Sequence, residues 1–222
     1  SVWGANGEFF SCGRIDDLEC AYTSVRAFIA ASPAKHINVL AVMDNEEVGS
    51  GTKQGADSTL LEDVLSRIAF AMGKTDSERR AAIAASFMVS ADNAHAVHPN
   101  HPEKYDVGNR TFMNGGVVVK FNANQKYTTD GVSSAIFESI CARAGVPVQH
   151  FANRSDVLGG STLGNIANAH ISMNTVDIGL AQLAMHSCYE TAGCRDLDFM
   201  IQALKAFYET DIRALEDGTF EI

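Results

Sequence analysis

Short apolar runs alternate with helix-period stretches along almost the whole chain, and this alternation confines it to a layered α/β fold. His36 to Met43, Phe87 to Ser90, Val117 to Phe121, Val148 to Ala152 and Ile171 to Val176 are brief runs of the kind that form buried strands. Between them, apolar residues recur at helical spacing. Asp17 to Ala31 puts Leu18, Ala21, Val25 and Phe28 on one stripe. Thr59-Leu60-Leu61-Glu62 has capping-box spacing ahead of a helix with Leu61, Val64, Leu65 and Ile68 inward, and Gly73 is placed to end it. Asp76 to Ala85 reads as a further helix, and Asp130 caps another that ends near Gly145-Val146-Pro147. Asp196 to Glu209 sets Leu197, Met200, Ile201, Leu204 and Phe207 on a core face. The expected architecture is α/β: a three-layer sandwich around a central mixed, largely parallel sheet. Residues 1–222 show no internal repeat, low-complexity tract or linker, so a single domain is expected.

Composition removes several functional classes. The formal net charge of −10 leaves no basic face for nucleic acid. No apolar run approaches the roughly 20 residues of a membrane span, so no membrane partner is expected. The five cysteines are odd in number and lack C-x-x-C spacing, which fits a reduced protein of cytoplasmic residence. Two glycosylation triplets, at Asn109 and Asn153, carry no weight, because such triplets arise often by chance.

Carboxylates and an imidazole gather where strands are expected to end. In open α/β sheets, binding sites form at the carboxyl ends of strands. Glu46 and Glu47 follow the apolar run that ends at Met43; adjacent side chains there point in different directions. One can hold a metal while its neighbour faces a water as general base. Asp92 follows Phe87-Met88-Val89-Ser90, His186 follows the strand near Val176, and Asp16 opens a helix after Gly13-Arg14-Ile15. Taken singly, these residues also fit an acidic turn, helix caps and a hydrogen-bonded core histidine. His95, His98 and His101 have ligand-like spacing but no cysteine partners, which argues against a zinc finger. Carboxylates with a few imidazoles suit zinc or a similar divalent ion.

Together, six ordered segments resemble the aspartyl aminopeptidase family of dinuclear zinc exopeptidases. They are Arg14-Ile15-Asp16-Asp17-Leu18, the run from Asp44 to Ser50, the run from Ser90 to Asn100, Val119-Lys120-Phe121-Asn122, Gly159 to Gly164, and Gln182 to Ser187. The resemblance implies a zinc-exopeptidase-like fold and a pair of zinc ions. It also implies peptide substrates with an acidic N-terminal residue, cut by attack of a zinc-activated water. Asp16 would bridge the ions, Glu47 and His186 would complete one site, and Asp92 would belong to the other. Glu46 would be the general base and proton donor to the leaving amine. His95 would meet the oxyanion or substrate, and Lys120 the substrate's acidic side chain. Tyr127 and the Gly160-Ser161-Thr162 turn would line the pocket, and a large homo-oligomer is implied as well.

One departure matters. The family places a further zinc-ligating histidine upstream of the bridging aspartate, together with an inserted dimerisation domain, and no histidine precedes Asp16 here. The chain is therefore expected to be the C-terminal part of a catalytic domain, with a companion N-terminal fragment supplying the rest. Two other readings stay open: a dinuclear aminopeptidase of neutral or apolar specificity, and a non-catalytic module that contributes assembly surface or binds peptide.

Overall fold

The structure is a computed structural model that describes residues 1–215 and 218–222. In chain order the first elements are β1 (Val2–Trp3), β2 (Phe9–Cys12), α1 (Ile15–Ala30), α2 (Leu60–Ala71), α3 (Asp76–Ala84), β3 (Phe87–Ala91) and β4 (Ala94–His95). Then come β5 (Val117–Phe121), α4 (Gly131–Ala144), β6 (Val148–Ala152), α5 (Leu163–Asn168), β7 (Asn174–Gly179) and β8 (Ala181–Leu183). β9 (Glu190–Gly193), α6 (Cys194–Glu209), β10 (Arg213–Ala214) and β11 (Phe220–Glu221) complete the order.

The central sheet has the order β3-β7-β5-β6. β3 with β7 and β5 with β6 are parallel, while β5 against β7 is antiparallel, so the sheet is mixed and largely parallel. Strand alternation gives its two faces different characters. Val117, Val119, Val176 and Ile178 join Phe137, Cys141, Met200 and Leu204 of α4 and α6 in the main core, with Cys20 and Ala27 of α1. The intervening residues Ser90, Lys120 and Asp177 point to the other face, where Thr162 and the start of α5 lie against Asp177. The chain is an α/β sandwich whose second sheet face is mixed, since Val118 and Phe151 there join a smaller apolar cluster with Ala94, Ala96, Tyr127 and Ala181.

β3 and β7 continue past a short break into β4 and β8, which belong to a second sheet of order β1-β2-β9-β8-β4. Asp92 sits in that break. Gly179 ends β7 at the matching break, and any Cβ there would collide with the Asp92 carbonyl oxygen. The close approach of two backbones thus fixes the height of Asp92 above the sheet.

Helix ends follow their sequence signals unevenly. Asp130 accepts the Val132 and Ser133 amides, and left-handed Gly145 closes α4. Thr59 does not cap α2, because its hydroxyl donates to the Asp63 carboxylate instead. The complete capping box belongs to Thr75 and Glu78 at α3. β7 begins at Asn174 rather than Ile171, whose amide still bonds Ala167 in the turn after α5.

Three expectations fail for one reason, the lack of a covering layer. His36 to Met43 is extended but joins no ladder among the described residues. It is tied instead to the Tyr208 carbonyl through the side chains of His36 and Asn38. On α1 the buried face is Glu19, Cys20, Thr23 and Ala27, whose small groups admit α6 closely, whereas Leu18, Val25 and Phe28 face out. On α2 nothing is buried, and Val64 and Ile68 are exposed.

Phe137 is fully buried between α6 and the sheet. Phe137→Ala is expected to cost about 3–5 kcal/mol, read as a lower urea midpoint with an unchanged slope. A cost below about 1 kcal/mol would mean that the core collapses around the gap and is looser than its burial implies.

Candidate metal centre

Asp16, Glu47, Asp92 and His186 arrive from four segments, and the fold brings all of them to one place. Asp16 stands at the start of α1, where the backbone departs from helical geometry and the Asp16–Asp17 peptide is cis. Glu46 and Glu47 form a 3-10 turn, Glu46–Val48, entered through left-handed Asn45 and left through left-handed Gly49. His186 lies in the β8–β9 loop with positive φ, as does Ala184.

His186 Nε2 is 3.1 Å from Asp16 Oδ2 and 3.2 Å from Glu47 Oε1. Asp16, Glu47 and His186 offer ligand atoms within 4.8 Å of one another, and so do Asp16, Asp17 and Asp92. Asp16 is the member common to both groups. One carboxylate with a mixed oxygen and imidazole set on one side and oxygens on the other suits a pair of borderline divalent cations. Asp17 Oδ1 is buried without a hydrogen-bond partner, as expected of a donor atom awaiting a cation. The residues present therefore fit zinc.

The electrostatics carry the same imprint. Burial, then the charges of Asp92 and Glu47, push the Asp16 carboxyl up to about 8. Asp17 is raised for the same leading reason, followed by Asp92. Burial and then Asp92 and Glu47 raise Glu46, partly opposed by Lys120 and His186, which places its carboxyl beside the cluster. Desolvation, with Lys120 and His186 adding to it, lowers His95, although one side of that residue is open to solvent.

Lys120 lies beneath the site rather than on its wall. It is 1% exposed, and its ammonium donates to the Asp92 and Asn93 carbonyls at 3.0 and 3.1 Å. It also stands 3.4 Å from Asp92 Oδ2 and 5.2 Å from the centre of the Tyr127 ring. Burial alone would lower its pKa, but Asp92 ahead of Tyr127 and Asp177 outweighs that and raises it. Tyr127 is buried against this cation, whereas Gly160 and Ser161 are exposed and Thr162 donates to Asp177 Oδ1 at 2.6 Å. His98 and His101 stack on each other and belong to neither ligand group.

Residues missed in the sequence support this centre from below. Asn93 donates to Glu19 Oε2 at 2.7 Å, and burial holds Glu19 up to about 8. Asp177 gathers Thr128 and Thr162 from two loops onto β7. Asp17 had a visible signal, adjacency to Asp16; the others had none, being single polar residues within apolar or loop sequence.

The family model for aminopeptidase I zinc metalloproteases (M18) matches residues 1–208. This chain belongs to the M18 family. A probable M18 family aminopeptidase 2 of Clostridium novyi is 46% identical over 208 residues, covering 94% of this chain and 48% of that protein. A probable aspartyl aminopeptidase of Ricinus communis is 40% identical over 215 residues, covering 94% and 44%. Among solved structures, an M18 aminopeptidase of Thermotoga maritima superposes with a TM-score of 0.85 at 27% identity, covering 93% and 47%. The mApe1 dodecamer of S. cerevisiae gives 0.78 at 28% identity, covering 94% and 47%. The chain spans about half the length of the M18 relatives it matches. Among the described residues, no helix is long and apolar enough to cross a membrane.

Proposed function

We propose that this chain carries most of the dinuclear centre of an aminopeptidase that releases acidic residues from peptide N-termini. The observation that carries this reading is the sharing of Asp16 between two ligand groups, with the Glu46 carboxyl beside them. Asp16, Glu47 and His186 would hold one zinc, and Asp16 with Asp92 the other. Bound there, zinc supplies Lewis-acid polarisation of the scissile carbonyl and acidifies water. Glu46 takes a proton from the attacking water and passes it to the leaving amine. His95 would hydrogen-bond the carbonyl oxygen or the substrate, and Tyr127 and the Gly160-Ser161-Thr162 turn would line the pocket.

Acidic specificity is supported by the Ricinus relative's name and by a cation, Lys120, at the floor of an acidic cleft. A substrate carboxylate entering a bare acidic cleft would be repelled. The saturation of the Lys120 ammonium by Asp92 and Asn93 favours a second reading, in which Lys120 holds Asp92 and specificity is neutral or apolar. Hydrolysis of aspartyl, glutamyl and leucyl dipeptides with added zinc separates the two. Preference for the acidic pair is expected, and preference for the leucyl peptide would overturn the acidic reading. Lys120→Ala is expected to reduce aspartyl cleavage about 100-fold more than leucyl cleavage, the scale of a lost hydrogen bond to a charge. Equal losses would assign Lys120 to Asp92 alone.

A larger assembly completes this reading. Leu18, Ile37, Val42, Val64, Ile68 and Phe70 are exposed apolar side chains, Phe70 at 81%. A companion segment carrying the remaining zinc ligand, together with further copies of the enzyme in a homo-oligomer, would cover them. The solved dodecamer of a relative supports the second part.

A further inference from the structure

Glu190 opens β9 and is 2% exposed, in a stretch with no other charged residue from Ser187 to Cys194. Its Oε2 accepts the backbone N–H of Asp16 at 3.0 Å, and Oε1 accepts the backbone N–H of His186 at 2.8 Å. Those residues come from opposite ends of the chain and offer ligand atoms to the same group. One side chain therefore grips the main chain of two candidate ligands at once.

We propose that Glu190 is a positioning residue of the metal centre, a carboxylate staple that sets the spacing between Asp16 and His186. This inference rests on the metal reading above. Three features argue for it. His186 and Ala184 hold positive φ without being glycine, a conformation that is unfavourable for residues with a side chain, so something must hold the loop. The hydrogen bond that the His186 N–H donates to Glu190 does so at His186 itself. β9 is a rigid support, since it is paired on both sides by β2 and β8, with Glu190 opposite Cys12. Finally, bonds from two amides to one buried carboxylate are charge-assisted, and roughly twice as strong as neutral ones. A ligand pair held this way meets a cation already spaced for it, and groups that orient metal ligands typically affect affinity 10–100-fold.

The fold contains its own control. Asp196 is also fully buried and also accepts two backbone amides, Asn114 at 2.5 Å and Gly116 at 2.9 Å, but it holds no ligand residue. The test is titration with Co²⁺, whose visible absorption reports ligand geometry where zinc is silent. It is carried out on the wild-type chain and on Glu190→Gln and Asp196→Asn, in competition with a chromophoric chelator. Glu190→Gln presents an amide N–H to one of the two backbone donors. It is expected to weaken Co²⁺ binding about 10–100-fold and to shift the absorption bands. Asp196→Asn is expected to lower the urea midpoint while leaving affinity and bands as in the wild type. Unchanged affinity and bands in Glu190→Gln would overturn the proposal, as would equal weakening in both variants. Absence of Co²⁺ binding by the wild type would overturn the metal reading itself, and the staple with it. Should Glu190→Gln not fold, amide exchange of the metal-free wild type still decides. The Asp16 and His186 amides should exchange as slowly as those of β9, and fast exchange would sink the staple.

Discussion

Glu46→Gln is expected to reduce peptide hydrolysis by about 10²–10⁴-fold while leaving the bound metal in place, the range for removal of a general acid–base group. Glu46 and Glu47 share one 3-10 turn, but only Glu47 joins His186 and Asp16 in a ligand group. Burial, then the charges of Asp92 and Glu47, raises Glu46, with Lys120 and His186 opposing. A raised carboxyl suits a group that must both take a proton from water and return one to an amine. Glutamine keeps the shape and cannot carry the proton. The check is turnover alongside zinc content after gel filtration. Lost zinc in Glu46→Gln would make Glu46 a ligand and exchange the roles of the two glutamates.

Asp16→Asn is expected to be the most damaging change for metal content, removing both ions where His186→Ala removes one. Asp16 is the corner shared by both groups, and no other described carboxylate occupies that position. The same substitution carries an opposite effect on the metal-free chain. Burial, then the charges of Asp92 and Glu47, disfavours an ionised Asp16 in the metal-free chain, and asparagine removes that cost. The metal-free variant should therefore melt no lower than the metal-free wild type. Added zinc should stabilise the wild type alone, by about 4 kcal/mol at 1,000 times its dissociation constant. Equal zinc stabilisation of both proteins would show that the cation binds elsewhere, for example at His98 and His101.

The sheet was legible in the sequence because its strands are self-contained signals. Val117–Phe121 and Val148–Ala152 carry β-branched or aromatic residues between clear turn chemistry, and their neighbours in space are within the chain. His36 to Met43 carries as strong a strand pattern but finds no ladder here, since strand formation depends on a partner as well as on composition. The apolar stripes of α1 and α2 mislead for the same reason: periodicity reports that a face wants covering, not which layer covers it. The candidate ligand residues could be named because they stand in recognisable runs, although Glu47 follows a segment that forms no strand. Their supports could not. Glu190 and Asp177 act through backbone amides and loop hydroxyls that only the fold brings near, and Lys120 could be read as an exposed cation until burial placed its ammonium under Asp92.

The most direct test of the central claim is an anomalous-scattering map at the zinc edge from crystals of this chain grown with zinc. A peak about 2.0–2.2 Å from His186 Nε2 and from carboxylate oxygens of Asp16 and Glu47, with a second peak on the Asp92 side of Asp16, is the expected result. A map with no peak at Asp16, or with zinc held only by histidines of the His95 to His101 loop, would contradict it.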